Sequence, residues 1–600
     1  MAATVVLALY VVQHRRAAVV VAPSRAADPT WVVAPHLPGN DLPPVGRSLF
    51  DYVVTDDTDG KRSYRIPFPL PALLQRIEQR GGCRHRSDAL SSCLKTVLIP
   101  LGRSLQRTVA SPDFFAYPRV IVAFDGEPAA NERGTFPLLK DRLYIGYQEY
   151  AGIIEVISYN EAAGRFEFQL VKNYRAGATP SVFYANRSIC TACHQNQAPI
   201  FSRPLWQETN ANPAIAAQLK AQHKDFYGIN FKRGVDIPNA IDDAADRANL
   251  FSATQTLWRR GCQATAAARG IRCRAALLDA ALQYRLSHEN EIDMISTPWR
   301  EQLLPVLKDN LQQEWKNGLA ISDPDIPNRD PLQRLYEDAP LPVGMPLAHV
   351  PAKFDPLRRR APLEVWRGSE IDFARRATIG LAEFIARADV ERLRPRSKAE
   401  ISAAVLALAD ATEQGTTDAL SDKPFRRAAV IPVLLAQLGA VQDKARNPDD
   451  DHLPRAQLDD IASEPGATVG FEQSSADVQR FFPYCGACHN THENTPPNFL
   501  YGDAQTIKAN LERCADRIYF RLRMWQLADA ERPKTPMPPR VMLDRLNVEP
   551  ARWAASNDVA AMLDYVAGLL RAQGRDAPSP DQLAVKEYET LRPCFGGVQQ

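Results

Sequence analysis

The chain has 600 residues, 45% hydrophobic and 24% charged, a balance that excludes wholesale disorder. Its 72 Lys+Arg against 70 Asp+Glu leave a net charge of +2 and give no reason to expect a nucleic-acid partner. No stretch reaches the ~18 apolar residues of a membrane span, so a polytopic membrane protein is excluded too.

The chain opens with an apolar run, Ala2 to Val12, broken by Gln13, His14, Arg15 and Arg16 and followed by Ala17 to Ala22. This has the length of a signal-peptide apolar region, but no basic segment precedes it. Ser24-Arg25-Ala26 would serve as a small-x-small cleavage site. Residues 1–30 are therefore expected to be a signal peptide or a possible N-terminal membrane anchor, with a packed N-terminal helix as the alternative.

Residues 31–185 read as a β-rich domain. Ile153 to Tyr159 and Phe166 to Lys172, joined by a turn at Asn160 to Gly164, form a predicted hairpin. Leu143 to Tyr150 and Pro118 to Phe124 are predicted to add strands. Residues 186–445 read as helical, with segments at 214–223, 240–258, 266–287, 299–315, 369–408 and 424–441. Residues 322–362 hold nine prolines and read as an extended connector. A polar, acidic linker over 446–469 leads to a last helical domain, 470–600. The expected fold class is α+β, mostly helical.

The ten cysteines carry the chemistry. Cys190-Thr191-Ala192-Cys193-His194 and Cys485-Gly486-Ala487-Cys488-His489 are two copies of C-x-x-C-H. With ten Cys and ten His, one such pentapeptide is expected by chance about 0.003 times, so two are not accidental. The pattern reads as c-type haem attachment: two thiols add to the haem vinyl groups, and the adjoining His194 or His489 reaches the iron from the same turn. One Cys₄ zinc site is the competing reading, but it leaves both histidines unexplained. A redox dithiol is the third, although neither pair is expected to begin a β-α unit. Two covalently bound haem c groups are thus expected, with His194 and His489 as iron ligands.

Cys83 and Cys93, Cys262 and Cys273, and Cys514 and Cys594 are predicted to form three disulfides. Covalent haem and disulfides together imply an oxidising compartment, here the bacterial periplasm or an outward-facing surface.

Residues 470–575 resemble the class I c-type cytochromes. Val478 to Tyr484 leads into the second motif, and Pro497-Asn498-Phe499-Leu500 resembles the proline-asparagine-leucine loop whose proline carbonyl holds the proximal histidine in that family. Pro496 is an equally available acceptor. Ile507, Leu511, Cys514, Ala515, Ile518, Leu522 and Trp525 form one apolar helical face. Met537, between Pro536 and Pro538, resembles the distal-ligand loop. The resemblance implies a Met537 thioether on the second iron, which favours Fe(II). Asn557-Asp558 is predicted to cap a final helix faced by Val559, Met562, Leu563, Val566, Leu569 and Leu570.

The first motif is followed by Gln195 to Trp206, which is not the class I pattern. Pro199 is the expected carbonyl acceptor for His194, with Phe201 and Trp206 over the haem and Arg203 on a propionate. His223, His288, Met294, Met345 and His349 are the candidates for its distal ligand, with an open or weakly ligated iron as the alternative. The 295 residues between His194 and His489 imply two haem modules with helical material between them. Together these features imply an exported dihaem c-type cytochrome that exchanges electrons with redox partner proteins, with no catalytic residue assigned. The alternatives are a haem-dependent oxidoreductase resembling the dihaem peroxidases or their oxygenating relatives, and a haem sensor.

Overall fold

The computed structural model describes residues 28–33, 46–58, 61–83, 93–101, 110, 113–127, 137–201, 208–229, 236–287, 291–322, 357, 362–440, 457–458, 470–491, 496–579, 582, 588 and 591–594. The fold is mixed α/β, with helices predominating. In chain order the first strands are β1 (Thr30–Trp31), β2 (Thr55–Thr58), β3 (Lys61–Tyr64), β4 (Leu94–Ile99), β5 (Arg119–Phe124), β6 (Leu143–Gln148), β7 (Ile153–Asn160), β8 (Arg165–Lys172) and β9 (Ser181–Tyr184). Strands β4 to β9 pair in sequence as an antiparallel meander. Alternating Val, Ile, Phe and Tyr favour a pleated, half-buried surface. The β7–β8 hairpin turns where expected: Asn160 Oδ1 accepts from the Ala163 N–H at 3.1 Å, and Gly164 takes φ +64°, a left-handed conformation that glycine adopts without strain.

Two short helices, α1 (Leu49–Val53) and α2 (Leu70–Arg80), lie within the β-rich segment and bury their apolar faces in the same core. Next come α3 (Arg187–Cys193), α4 (Pro213–Ala221), α5 (Asp236–Thr256), α6 (Ala267–Leu286), α7 (Leu304–Glu314), α8 (Glu370–Ala382), α9 (Arg387–Leu393), α10 (Lys398–Glu413) and α11 (Arg427–Gln437). The segment expected at 299–315 begins as a π-helix, Pro298–Leu303, before α7. The one expected at 369–408 is three helices, because Ser369 and Ser397 each start a new one with a capping box. Buried side chains from Leu49 to Leu435 form one continuous cluster, so the sheet and these helices share a core across residue 185.

Most of the proline-rich connector lies outside the described residues. Its ends are strands, β10 (Leu319–Ser322) and β11 (Pro362–Trp366), paired antiparallel, with β1 parallel to β10. Within the expected linker, β12 (Gln457–Leu458) adds a parallel strand beside β9. Sequence patterning missed these strands because a two- to five-residue strand has too few alternations to show a period.

The C-terminal residues form a second buried cluster, from Val478 to Cys594. It is built from α12 (Ala476–Gln479), α13 (Phe482–His489), α14 (Ala504–Arg523), α15 (Arg540–Arg545), α16 (Pro550–Ala554) and α17 (Asn557–Ala572). The predicted face of α14 is buried at Ile507, Leu511, Cys514, Ala515 and Leu522, and α17 packs on it. The cap of α17 is Ser556, not Asn557: its hydroxyl accepts from the Val559 N–H at 3.3 Å. All three expected disulfides are present, Cys83–Cys93, Cys262–Cys273 and Cys514–Cys594. Among the described residues no helix is long and apolar enough to cross a membrane.

Candidate functional site

The other six cysteines are paired, and Cys190, Cys193, Cys485 and Cys488 lie outside the disulfides. Cys190 and Cys193 lie on α3, and His194 is its C-cap. Cys485, Cys488 and His489 lie on α13. Burial pushes Cys190 and Cys485 up to about 12 and Cys488 up to about 11, which keeps them as thiols. Among the described residues no three His, Cys, Asp or Glu side chains converge as a metal site, so the thiols do not form a Cys₄ cluster.

The chain enters α3 directly from β9, so the first pair does follow a strand, contrary to expectation. Asn186 caps α3 by accepting from the Ser188 N–H at 2.8 Å. Arg187 is buried and anchors the helix to the sheet through Glu167 at 2.9 Å and the Phe166 carbonyl at 3.1 Å. The His194 Nδ1–H donates to the Ala198 carbonyl at 2.8 Å. A carbonyl only accepts, so this bond places the proton on Nδ1 and leaves Nε2 as the nitrogen that carries the lone pair.

Ala198, rather than Pro199, is therefore the acceptor. The Pro199 carbonyl instead accepts from Asn249 Nδ2 at 2.8 Å, and Asn196 Nδ2 donates to the Asn249 carbonyl at 2.9 Å. This buried asparagine pair fastens the 195–199 loop to α5. The Phe168 ring lies 5.4 Å from the His194 ring, while Phe201 is buried in the main core. His223 is exposed and Met294 is 44% exposed. His288, Met345, His349, Arg203 and Trp206 lie outside the described residues.

At the second motif, the His489 Nδ1–H donates to the Pro497 carbonyl at 2.6 Å, which decides between Pro496 and Pro497. The Phe499 ring stacks on the imidazole at 4.3 Å. Burial, helped by the Arg521 charge, lowers His489 to about 4 despite the Pro497 bond, so the ring is neutral. The Met537 loop is pinned to the end of α14: the Met537 N–H donates to the Arg521 carbonyl at 3.0 Å, and Trp525 Nε1–H donates to the Pro538 carbonyl at 3.2 Å. Arg521 thus neighbours both His489 and the Met537 loop.

These residues fit a covalently attached haem on the chain's own terms. Each motif offers two cysteines and one imidazole oriented by an Nδ1 bond to a backbone carbonyl. Arg521 is buried, yet its Nε and Nη2 have no hydrogen-bond partner, and neither does the nearby Thr535 hydroxyl. Buried donors are rarely left so, and a haem carboxylate would satisfy a guanidinium well.

The two motifs also meet. Helices α3 and α13 are in contact, and Asn186 Nδ2 donates to the Ala487 carbonyl at 3.0 Å. Arg545 on α15 donates to the Thr191 hydroxyl in the middle of the first motif. The sequence offered no signal for this contact, since 295 residues separate the two histidines. Compared with known proteins, the chain matches no family model, no curated protein and no solved structure.

Proposed function

We propose that the chain is an exported dihaem c-type cytochrome that carries out outer-sphere electron transfer, with a C-terminal domain of class I cytochrome c character. The observation that carries this is the pair of C-x-x-C-H helices, each with both cysteines outside the disulfides and its histidine bonded through Nδ1 to a backbone carbonyl. Bound haem supplies an iron that cycles between Fe(III) and Fe(II) without forming a substrate bond. Cys190, Cys193, Cys485 and Cys488 would hold the two groups, and His194, His489 and Met537 would ligate iron. Ala198 and Pro497 orient the imidazoles and raise their basicity. Phe168 and Phe499 exclude water beside them. The three disulfides support an oxidising compartment, which we take as the periplasm. The partners are then a donor and an acceptor redox protein.

Mass spectrometry of the denatured, exported protein tests this. Two haem additions are expected, and Cys190→Ala with Cys193→Ala should leave one. Stoichiometric zinc without haem refutes the reading.

A further inference from the structure

The contact between the motif helices has chemistry of its own. Asn186 serves both motifs: its side-chain carbonyl caps α3, and its amide bonds the backbone of α13. β12 pairs with β9 just ahead of α3 and ties the segment preceding the C-terminal domain to the same place. Arg545 crosses from that domain to Thr191, which is itself buried between Cys190 and Cys193 and bonded to the Arg187 carbonyl at 2.7 Å.

The charges at this junction are unequal in kind. Arg187 is matched by Glu167 at 2.9 Å, and Glu155, which acts on Cys190, is matched by Arg119. Arg545 rests on a neutral hydroxyl, and among the described residues no carboxylate pairs with it. Partial desolvation pulls its pKa down, and it feels Cys488 and Cys190, one thiol from each motif, as well as Arg187. A positive charge near an iron favours its less positive, ferrous state.

We propose that Arg545 is a tuning residue shared by both redox centres, raising the two midpoint potentials together from the junction of the two C-x-x-C-H helices. This rests on the dihaem reading above. It makes the pair an electrostatic unit rather than two carriers on one chain. Haem held by Cys190, Cys193 and His194 at one motif and by Cys485, Cys488 and His489 at the other would supply a reversible Fe(III)/Fe(II) couple at each, and Arg545 would favour the reduced state of both.

The test is a redox titration of holoprotein already shown by mass to carry two haems. Arg545→Gln should lower both potentials by about a tenfold change in each Fe(III)/Fe(II) ratio, 59 mV for one electron. Arg545→Lys keeps the charge and should leave both near the parent values, a rescue that a purely structural role would not give. The drop in Arg545→Gln should persist at 1 M salt, where the screening length is about 3 Å and a surface charge would be silenced. If Arg545→Gln does not fold or take up haem, Thr191→Val releases the guanidinium without deleting it and should lower both potentials by a smaller amount. A shift at one centre only, or at neither, overturns the inference while leaving a two-haem mass to support the dihaem reading. A mass with fewer than two haems counts against that reading itself.

Discussion

Asn249 gives one amide N–H each to the Pro199 and Ala245 carbonyls and holds Asn196 against its own backbone, all out of contact with water. Asn196 Nδ2 also donates to the Asn249 side-chain oxygen at 3.0 Å, so Asn249→Ala would leave the Pro199 carbonyl and that Asn196 N–H unpaired while keeping the bond to the Asn249 backbone. Each stranded buried polar group costs about 1–3 kcal/mol. The variant should unfold at lower urea and should shift only the potential of the first centre, because the loop it loosens carries Ala198. An equal shift at the second centre would show that the loop does not act through His194. Met537 is the corresponding residue on the proposed dihaem reading. Met537→Ala should abolish the far-red thioether-to-Fe(III) band and lower that centre's potential, since a thioether favours Fe(II). If band and potential both survive, another residue is the ligand.

The hairpin β2–β3 and helix α2 are joined by one carboxylate. Asp56 accepts from Arg76 at 2.8 and 3.2 Å and from Arg80, and the Arg76 hydrogen bond leads in lowering it to about 2. Its pKa is depressed on folding, so its stabilisation is full above about pH 4 and fades as pH falls through about 2. Discounted for solvent screening of this partly exposed cluster, Asp56→Asn should cost about 1–2 kcal/mol at pH 7 and much less at pH 2, read from urea midpoints at both. An equal loss at both pH values would assign the effect to packing. The disulfide Cys514–Cys594 acts on a larger element, closing an 80-residue loop that includes the Met537 segment and α17. By chain entropy its removal should cost about 4.5 kcal/mol. Cys594→Ser should therefore melt the C-terminal core ahead of the larger one. Calorimetry showing both transitions unmoved would count against the tether.

The two motif helices touch through polar groups, and the surroundings of the two histidines differ. The second has a loop methionine pinned beside its histidine region; the first has the Phe168 ring against His194. The expected outcome is two distinct redox waves with the second centre higher. Carbon monoxide should bind the reduced first centre, and the second only after Met537 is removed. Two overlapping high-potential waves with no carbon monoxide binding would leave a symmetric electron carrier and eliminate a reactive haem.

Much of this was legible in one dimension because its determinants are local. A C-x-x-C-H turn brings its three side chains together within five residues. The meander β5–β8 shows its alternation over six- to eight-residue strands, and the apolar face of α14 recurs over twenty residues. The disulfides followed from pairing six remaining cysteines by spacing. The His194 acceptor was misplaced by one residue, because loop geometry and the Asn196–Asn249 pair choose which carbonyl points at the ring. The short strands β10, β11 and β12 were missed because partners far along the chain define them. The meeting of the two motifs was invisible for the same reason. A contact across 295 residues is set by how two cores dock, through an asparagine amide on a backbone carbonyl and an arginine on a threonine hydroxyl, and such polar pairs leave no periodic trace in sequence.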